Sequence, residues 1–396
     1  MTSSIPSPDL ARGAAHRAMA ERAARSGIRR VHLLAFRDQD DPEAGGSEVH
    51  AAEMCRHLAA AGLEVTRHTG RVRGAPEEIV RDGVRVVRRG GRLGVFPRTV
   101  LDERGGRLGS ADGIIEVFHG VPFFVPLWAR GVPQVGLVHH IHLGMWHHLL
   151  PAPGAALGHL LERFVVPAVY RRRRLVTIAS SSRDEVLHAF GGAPERVTVL
   201  VNGVDDRFCP GGEREATPLV VAVARLMPQK GIAELVACFA EVRRAVPSAR
   251  LAIVGSGPEQ DRVAAAVTEH HLDDAVDLVG FVPADALVDW YRRAWVVASA
   301  SHREGFGLTL LEAAACGTPS VARRIPGHVD AVSDEVTGLL ADDDAGLARA
   351  LVRVLTDPDL RTRLGDAALA ATAGCRWEQT ALGILEALCD DADRRR

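Results

Sequence analysis

The stretch Ser301-His302-Arg303-Glu304-Gly305-Phe306-Gly307-Leu308-Thr309-Leu310-Leu311-Glu312 follows an apolar run at 295–299 and precedes a stop signal, Gly317-Thr318-Pro319. A strand that opens into a glycine loop and then a helix is one βα unit of a parallel sheet. The spacing predicts a strand at 295–299 and a helix at 308–316. The amides of Gly305, Phe306, Gly307 and Leu308 then fall at the helix N-terminus, where N–H groups and the helix dipole favour an anion. Glu304 precedes this loop, and Glu312 is expected about two turns into the helix. A carboxylate accepts bidentate hydrogen bonds from vicinal hydroxyls, so two carboxylates beside an anion site suit a sugar and a ribose. The plainer reading makes Glu304 a helix cap and Glu312 a surface charge.

The same alternation extends outward through the whole chain. Further strands are expected at 31–36, 63–66, 84–88, 114–118, 134–138, 175–179 and 197–201, then at 219–224, 250–254, 276–279 and 319–322. Helices are expected at 47–61, 182–190, 232–246, 260–270 and 284–293. Strand–helix alternation predicts parallel sheets covered on both faces. The pattern restarts after a turn-rich segment at 202–218, so the fold class is α/β with two Rossmann-like domains facing across a cleft. The expected organisation is an N-terminal extension at 1–27, a first domain at 28–203, a second at 204–376 and a C-terminal helix at 377–396 that packs back on the first domain. The extension, rich in Ala, Arg, Ser and Pro, lacks an apolar core, so it reads as a frayed, weakly helical or disordered segment and not as a secretory signal. Glycines at 90, 91, 94, 105, 106 and 109 suggest a loop-like stretch.

A length of 396 residues suits two domain cores. A net charge of −2 leaves no broad basic field for nucleic acid, and no apolar run is long enough to span a bilayer. The six cysteines are scattered without a C-x-x-C pair, which fits a reducing cytosol better than a disulfide framework or zinc ribbon. Lys230 is the only lysine and Asn202 the only asparagine. An ammonium differs physically from the guanidinium that supplies every other strong positive charge here, so its survival at one position is informative.

Ala224-Arg225-Leu226-Met227-Pro228-Gln229-Lys230-Gly231 follows the first strand of the second domain. Arg225 and Lys230 could converge on a diphosphate, the former as a fork and the latter as a point charge, and offset charge on a leaving nucleotide; alternatively they are solvated loop cations. Gly45-Gly46-Ser47-Glu48 opens the first helix of the first domain, and neither it nor Gly255-Ser256-Gly257-Pro258 completes a dinucleotide fingerprint. Val138-His139-His140-Ile141-His142, with His147 and His148 beyond, lacks the carboxylate or cysteine spacing of a closed metal site. A histidine at a strand's carboxyl end, facing the cleft, is the preferred reading. As strand residues, His140 and His142 would share a face opposite His139. Arg171, Arg172, Arg173 and Arg174 fit either a contact with anionic lipid or a solvated helix end.

Together these segments resemble the retaining family 4 glycosyltransferases of the GT-B fold, from about Gly45 to about Trp377. The resemblance rests on Glu304-x7-Glu312 with Ala313, Ala314, Gly317 and Pro319, on Val201-Asn202-Gly203-Val204-Asp205, and on Ala224-Arg225-Leu226 with Lys230-Gly231. It also includes Ile253-Val254-Gly255-Ser256-Gly257-Pro258 and Val279-Gly280-Phe281-Val282. The sole lysine and sole asparagine both fall inside these motifs. The resemblance implies that Arg225 and Lys230 hold a donor diphosphate against Gly45 and Gly46. Glu312 would bind the ribose, while Glu304 and the amides of Gly305, Phe306, Gly307 and Leu308 bind the donor sugar and phosphate. Asn202 joins the donor set, and His139 reaches the sugar near the reacting centre.

The implied activity is retaining transfer from a nucleotide-diphosphate sugar to a saccharide, lipid or small-molecule acceptor, with no cofactor and no essential metal. The implied location is cytoplasmic, with peripheral contact at the inner face of the membrane as one option; no nucleic-acid partner is expected, and the oligomeric state is open. Gly327-His328-Val329-Asp330 departs from the family's Gly-Gly-x-x-Glu, and an apolar face at 146–161 is unusual and could concern the acceptor. Competing readings are a nucleotide-sugar epimerase or sugar phosphorylase on the same fold, and an inactive sugar-nucleotide-binding scaffold. An NAD oxidoreductase lacks its glycine fingerprint.

Overall fold

The computed structural model describes residues 8–396. It divides into two units, Met1–Gly203 with Arg376–Arg396, and Val204–Cys375.

The first unit holds eight strands: β1 (Arg30–Leu34), β2 (Glu64–Thr69), β3 (Glu78–Arg81), β4 (Val84–Arg88), β5 (Gly113–Phe118), β6 (Gln134–Val138), β7 (Leu175–Thr177) and β8 (Val197–Val199). Their order is β3-β4-β2-β1-β5-β6-β7-β8, and every neighbouring pair is parallel except β3 and β4. β5 and β6 are buried along their whole lengths, as expected of parallel strands covered on both faces. The chain runs outward from β1 in one direction and then, from β5, in the other. The loops after β1 and β5 therefore diverge at a topological switch point, the place where open α/β sheets bind ligands.

The second unit repeats the plan with six parallel strands: β9 (Leu219–Val223), β10 (Arg250–Val254), β11 (Val276–Gly280), β12 (Val296–Ser299), β13 (Ser320–Arg323) and β14 (Gly338–Ala341). Their order, β11-β10-β9-β12-β13-β14, puts its switch point between β9 and β12. Val220, Ala222, Leu251, Ile253, Val296 and Ala298 point into one core with Leu235, Phe239 and Leu351 of the covering helices.

The structure adds to and corrects the sequence reading. β3 and β14 are strands that periodicity did not indicate. The glycine-rich stretch expected to be a loop contains the helix Val95–Arg104, with Gly94 and Gly105 as its caps. Those glycines mark the helix ends, and Val95 and Thr99 bury its inner face. The expected N-terminal extension is also corrected. Residues 1–7 lie outside the described residues, but Pro8–Ser26 is a regular helix. Ala15, Met19 and Ala23, spaced i, i+4, i+8, are buried along one face. That helix packs against Trp377–Arg395, where Arg22 meets Asp390 and Asp393, each at 2.9 Å. Trp377–Arg395 packs also against the helix Gly46–Ala60.

Candidate functional site

In the second unit the site forms where the loops after β9 and β12 meet. β9 is an unbroken apolar run, buried on both faces, so its polar continuation must emerge at the carboxyl edge. Leu226 anchors the first loop: it is 2% exposed, its N–H donates to Ser256 O at 2.9 Å and its carbonyl accepts from Glu259 N at 2.9 Å. Arg225 is half-buried two residues past the strand. Pro228–Lys230 forms one 3-10 turn, and Gly231 caps the next helix, Ile232–Ala245, at φ +61°. A Cβ on Gly231 would collide with the Ala300 carbonyl, so glycine lets the two loops touch. His302 N–H then donates to Gln229 O at 2.9 Å.

This contact brings Lys230 to Glu304. Nζ lies 2.5 Å from Oε1, and the side chains are 19% and 17% exposed. Ser301 Oγ donates to the same oxygen at 2.8 Å. Burial pushes the Glu304 carboxyl up, but the Lys230 charge and hydrogen bond outweigh it, so Glu304 titrates below its ordinary range. Glu304 does not cap the helix Leu308–Ala315, whose N-cap is Gly307 at φ +89°. Its carboxylate is held beside that N-terminus by the ammonium instead.

Glu312 is the fifth residue of that helix, little more than one turn in, not two. It is half-buried and not a surface charge, and Tyr291 OH donates to its Oε2 at 2.7 Å. Burial, outweighing the tyrosine bond, pushes its carboxyl up to about 7.

Sequence reasoning assigned no role to His328. It opens the short helix His328–Ala331 after β13 and is fully buried, with Nδ1 2.8 Å from Arg323 O and Nε2 3.3 Å from Ser299 Oγ. Since a carbonyl only accepts, Nδ1 carries the proton, while the single Ser299 hydroxyl proton goes to Ser301 Oγ at 3.3 Å. Burial lowers its pKa and keeps it neutral. Gly327, at φ +87°, packs its α-carbon against the backbone of Glu304 and Gly305, where a Cβ would clash. The departure from the family pattern at 327–330 therefore backs the carboxylate loop. Its only sequence signal was position, one loop after the Glu304 motif.

The first unit holds the other expected residues. Gly45 is the N-cap of Gly46–Ala60, and Glu48 Oε2 accepts from Gly45 N at 2.8 Å and from Ser47 Oγ at 2.9 Å. His139 lies one residue beyond β6 and is 5% exposed. Its Nε2 stands 3.1 Å from Nδ1 of His50, a fully buried residue on Gly46–Ala60. The rings meet edge to face, and His50 also lies against the Trp377 ring, 5.4 Å between centroids. Burial drives the His50 pKa down to about 4 and lowers that of His139 well below its ordinary value. The pair is neutral at physiological pH, and His139 Nδ1 has no hydrogen-bond partner among the described residues.

β6 ends at Val138, so His139, His140 and His142 are loop residues and not strand residues, and His147 lies in the short helix Trp146–Leu149. His140 and His142 do stack, at 4.4 Å. The side chain of His148 lies outside the described residues. Among those described, no group of three histidine, cysteine, aspartate or glutamate side chains is arranged to hold a metal ion. Asn202 is buried in the first unit, and its Oδ1 has no partner among the described residues. Lys230 thus meets Glu304 in one unit and His139 meets His50 in the other, two contacts that the sequence did not indicate.

Two family models match the chain. The model described as Glycosyltransferase Family 4 covers residues 44–208, and that described as Glycosyl transferases group 1 covers residues 206–370. A D-inositol 3-phosphate glycosyltransferase of Kribbella flavida is 33% identical, over 91% of this chain and 95% of its own length. A glycogen synthase of Mycobacterium tuberculosis is 32% identical over 60% of this chain and 58% of its own. Among solved structures, the sucrose-phosphate synthase of Thermosynechococcus elongatus superposes with a TM-score of 0.75 at 24% identity, covering 90% of this chain and 97% of that one. Anabaena HepE in complex with UDP-glucose superposes with a TM-score of 0.68 at 19% identity, covering 90% and 98%. These likenesses show the GT-B fold.

Proposed function

The chain belongs to the family 4 glycosyltransferases, and from that premise we propose that it transfers a sugar, with retention and without a metal, from a nucleotide-diphosphate sugar to an acceptor hydroxyl. The observation that carries this reading is the Lys230–Glu304 contact at the switch point between β9 and β12, beside the glycine-capped helix Leu308–Ala315.

In this reading Lys230 and Arg225 take the charge of the donor diphosphate, and the amides of Gly305, Phe306, Gly307 and Leu308 take a phosphate or sugar oxygen. Glu304 accepts from donor-sugar hydroxyls and Glu312 from the ribose. Gly45 and Gly46 pack on the diphosphate, Asn202 completes the donor set, and His139 engages the sugar at the reacting carbon. The bond from the anomeric carbon to the β-phosphate oxygen breaks while the acceptor oxygen bonds to the same face of that carbon. The acceptor's proton passes to the leaving phosphate. The cation pair stabilises the departing nucleoside diphosphate, the place where negative charge grows most in the transition state. No cofactor is required.

The donor bound by HepE, UDP-glucose, makes a UDP-hexose the first candidate. The acceptor named for the Kribbella relative makes a phosphorylated polyol the first acceptor to try. The test is a thermal-shift screen of nucleotide-diphosphate sugars with EDTA present, followed by detection of released nucleoside diphosphate with each acceptor. A ligand that binds only the folded state raises its melting temperature, so a shift for one base supports the reading. No shift at millimolar ligand would move the weight to an inactive scaffold.

A further inference from the structure

In the first unit, residues 152–170 form one continuous helical rod: Ala152–Leu160, a π-helical turn Leu161–Val165, and Val166–Tyr170. Its inner side is firmly held. Ala155, Gly158, Glu162, Val166 and Tyr170 are buried. The Glu162 carboxylate accepts from His142 N and Trp146 Nε1, both at 2.7 Å. Its outer side is the opposite of what a solvated helix requires. Leu157, Leu160 and Phe164, at i, i+3 and i+7, form one stripe and are 56%, 52% and 63% exposed. Three large apolar side chains on one face of the rod differ from singly scattered ones and mark an interaction surface.

The charge on this surface selects the partner. Between Trp146 and Arg174 the only acidic residue is Glu162, which is buried. Arg163, Arg171 and Arg172 are exposed along the same segment. An apolar stripe whose own segment exposes arginines and no carboxylate complements a surface that is apolar within and anionic at its rim, which is the description of an acidic lipid headgroup layer. A protein partner would need an apolar patch ringed by carboxylates, and a second copy of this chain would bring arginine against arginine.

We propose that this rod is a docking face for anionic bilayers, with Leu157, Leu160 and Phe164 entering the headgroup boundary and Arg163, Arg171 and Arg172 lying on the phosphates. No helix of the described residues is long and apolar enough to cross a membrane, so the contact is lateral. The face is made wholly by the first unit and stands whether or not the donor chemistry above is right.

The experiment is flotation of the full chain with vesicles of phosphatidylcholine alone and of phosphatidylcholine with about one-third phosphatidylglycerol. Binding is expected to the acidic vesicles only, and 0.5 M salt should release it. Each arginine near an acidic surface changes partitioning about fivefold, so Arg171→Gln with Arg172→Gln should weaken binding about twentyfold. Phe164→Glu should abolish it. Both variants should keep the wild-type melting temperature and the same thermal shift with nucleotide, which separates loss of docking from loss of the donor site. No flotation of the wild-type chain at low salt, or equal flotation of Phe164→Glu, overturns the proposal. So does a solution dimer that Phe164→Glu dissociates, which would give the face to a second copy.

Discussion

Lys230 and Glu304 lie 74 residues apart in the chain and 2.5 Å apart in space, each on a loop at the carboxyl end of a neighbouring strand of one sheet. Burial raises the Glu304 carboxyl, and the ammonium more than offsets it by its charge and hydrogen bond. Its removal therefore has two separable consequences.

Lys230→Ala should lower kcat/KM by about 10²- to 10³-fold, the usual cost of removing one preorganised group from developing transition-state charge. It should also lower stability by about 1–2 kcal/mol, because Glu304 loses its partner while only partly buried. Steady-state release of nucleoside diphosphate and a denaturant melt read the two effects. Unchanged turnover would remove Lys230 from the diphosphate site.

Glu304→Gln should weaken the nucleotide sugar more than the free nucleotide, because the carboxylate is assigned to sugar hydroxyls. Calorimetric titration with both ligands measures the difference. Equal losses would contradict that assignment.

Glu312 carries the pH dependence. Its folded pKa of about 7 stands above the ordinary carboxyl value, so the unfolded chain releases this proton first. The stability it confers is complete in acid below the unfolded pKa and is lost as pH rises toward 7. In the proposed role ribose hydroxyls donate to the ionised form, so nucleotide affinity should rise from pH 6 to pH 8. Glu312→Gln should flatten both slopes; melting curves and titrations at five pH values would show whether it does.

His50→Phe removes the hydrogen bond to His139 and keeps the ring volume. Turnover should fall about 3- to 10-fold, the worth of one hydrogen bond, with nucleotide binding by the second unit unchanged. In the wild-type chain neither ring should take up a proton between pH 5.5 and 8, since burial depresses both pKa values. Imidazole nitrogen shifts in NMR report this directly, and a midpoint near 6.5 assigned to His139 would refute the neutral pair.

Met19→Ala should cost about 2–4 kcal/mol as a cavity between two helices, because Met19 is fully buried. A thermal melt of the full chain tests it. A loss within 0.5 kcal/mol, as for a surface change, would return Pro8–Ser26 to the status of a loose extension.

The parts of the fold that were legible share one property: their signals are local. Apolar runs of four or five residues, such as those of β9 and β10, fall where the structure has them because a strand buried on both faces must be apolar throughout. The glycine loop before Leu308–Ala315 was legible because Gly307, at φ +89°, leaves little choice but glycine. The helix Val95–Arg104 was missed because its bounding glycines look, without a partner surface, like a loop. Pro8–Ser26 was missed because a face of two alanines and one methionine is too weak to stand out until Trp377–Arg395, more than 350 residues later, covers it.

By itself the sequence determined the α/β alternation, the restart at mid-chain, and the chemical types present at each strand end: the one lysine, the Glu304–Glu312 pair and the histidine after β6. Those follow from periodicity and residue chemistry, which act over one or two turns. Only the tertiary structure decided that Lys230 pairs with Glu304, that Tyr291 meets Glu312, that His50 meets His139, and that His328 stands behind the carboxylate loop. Strand order brings together residues 21 to 89 positions apart, and burial, a property of the assembled sheet, sets which of them hold their protons.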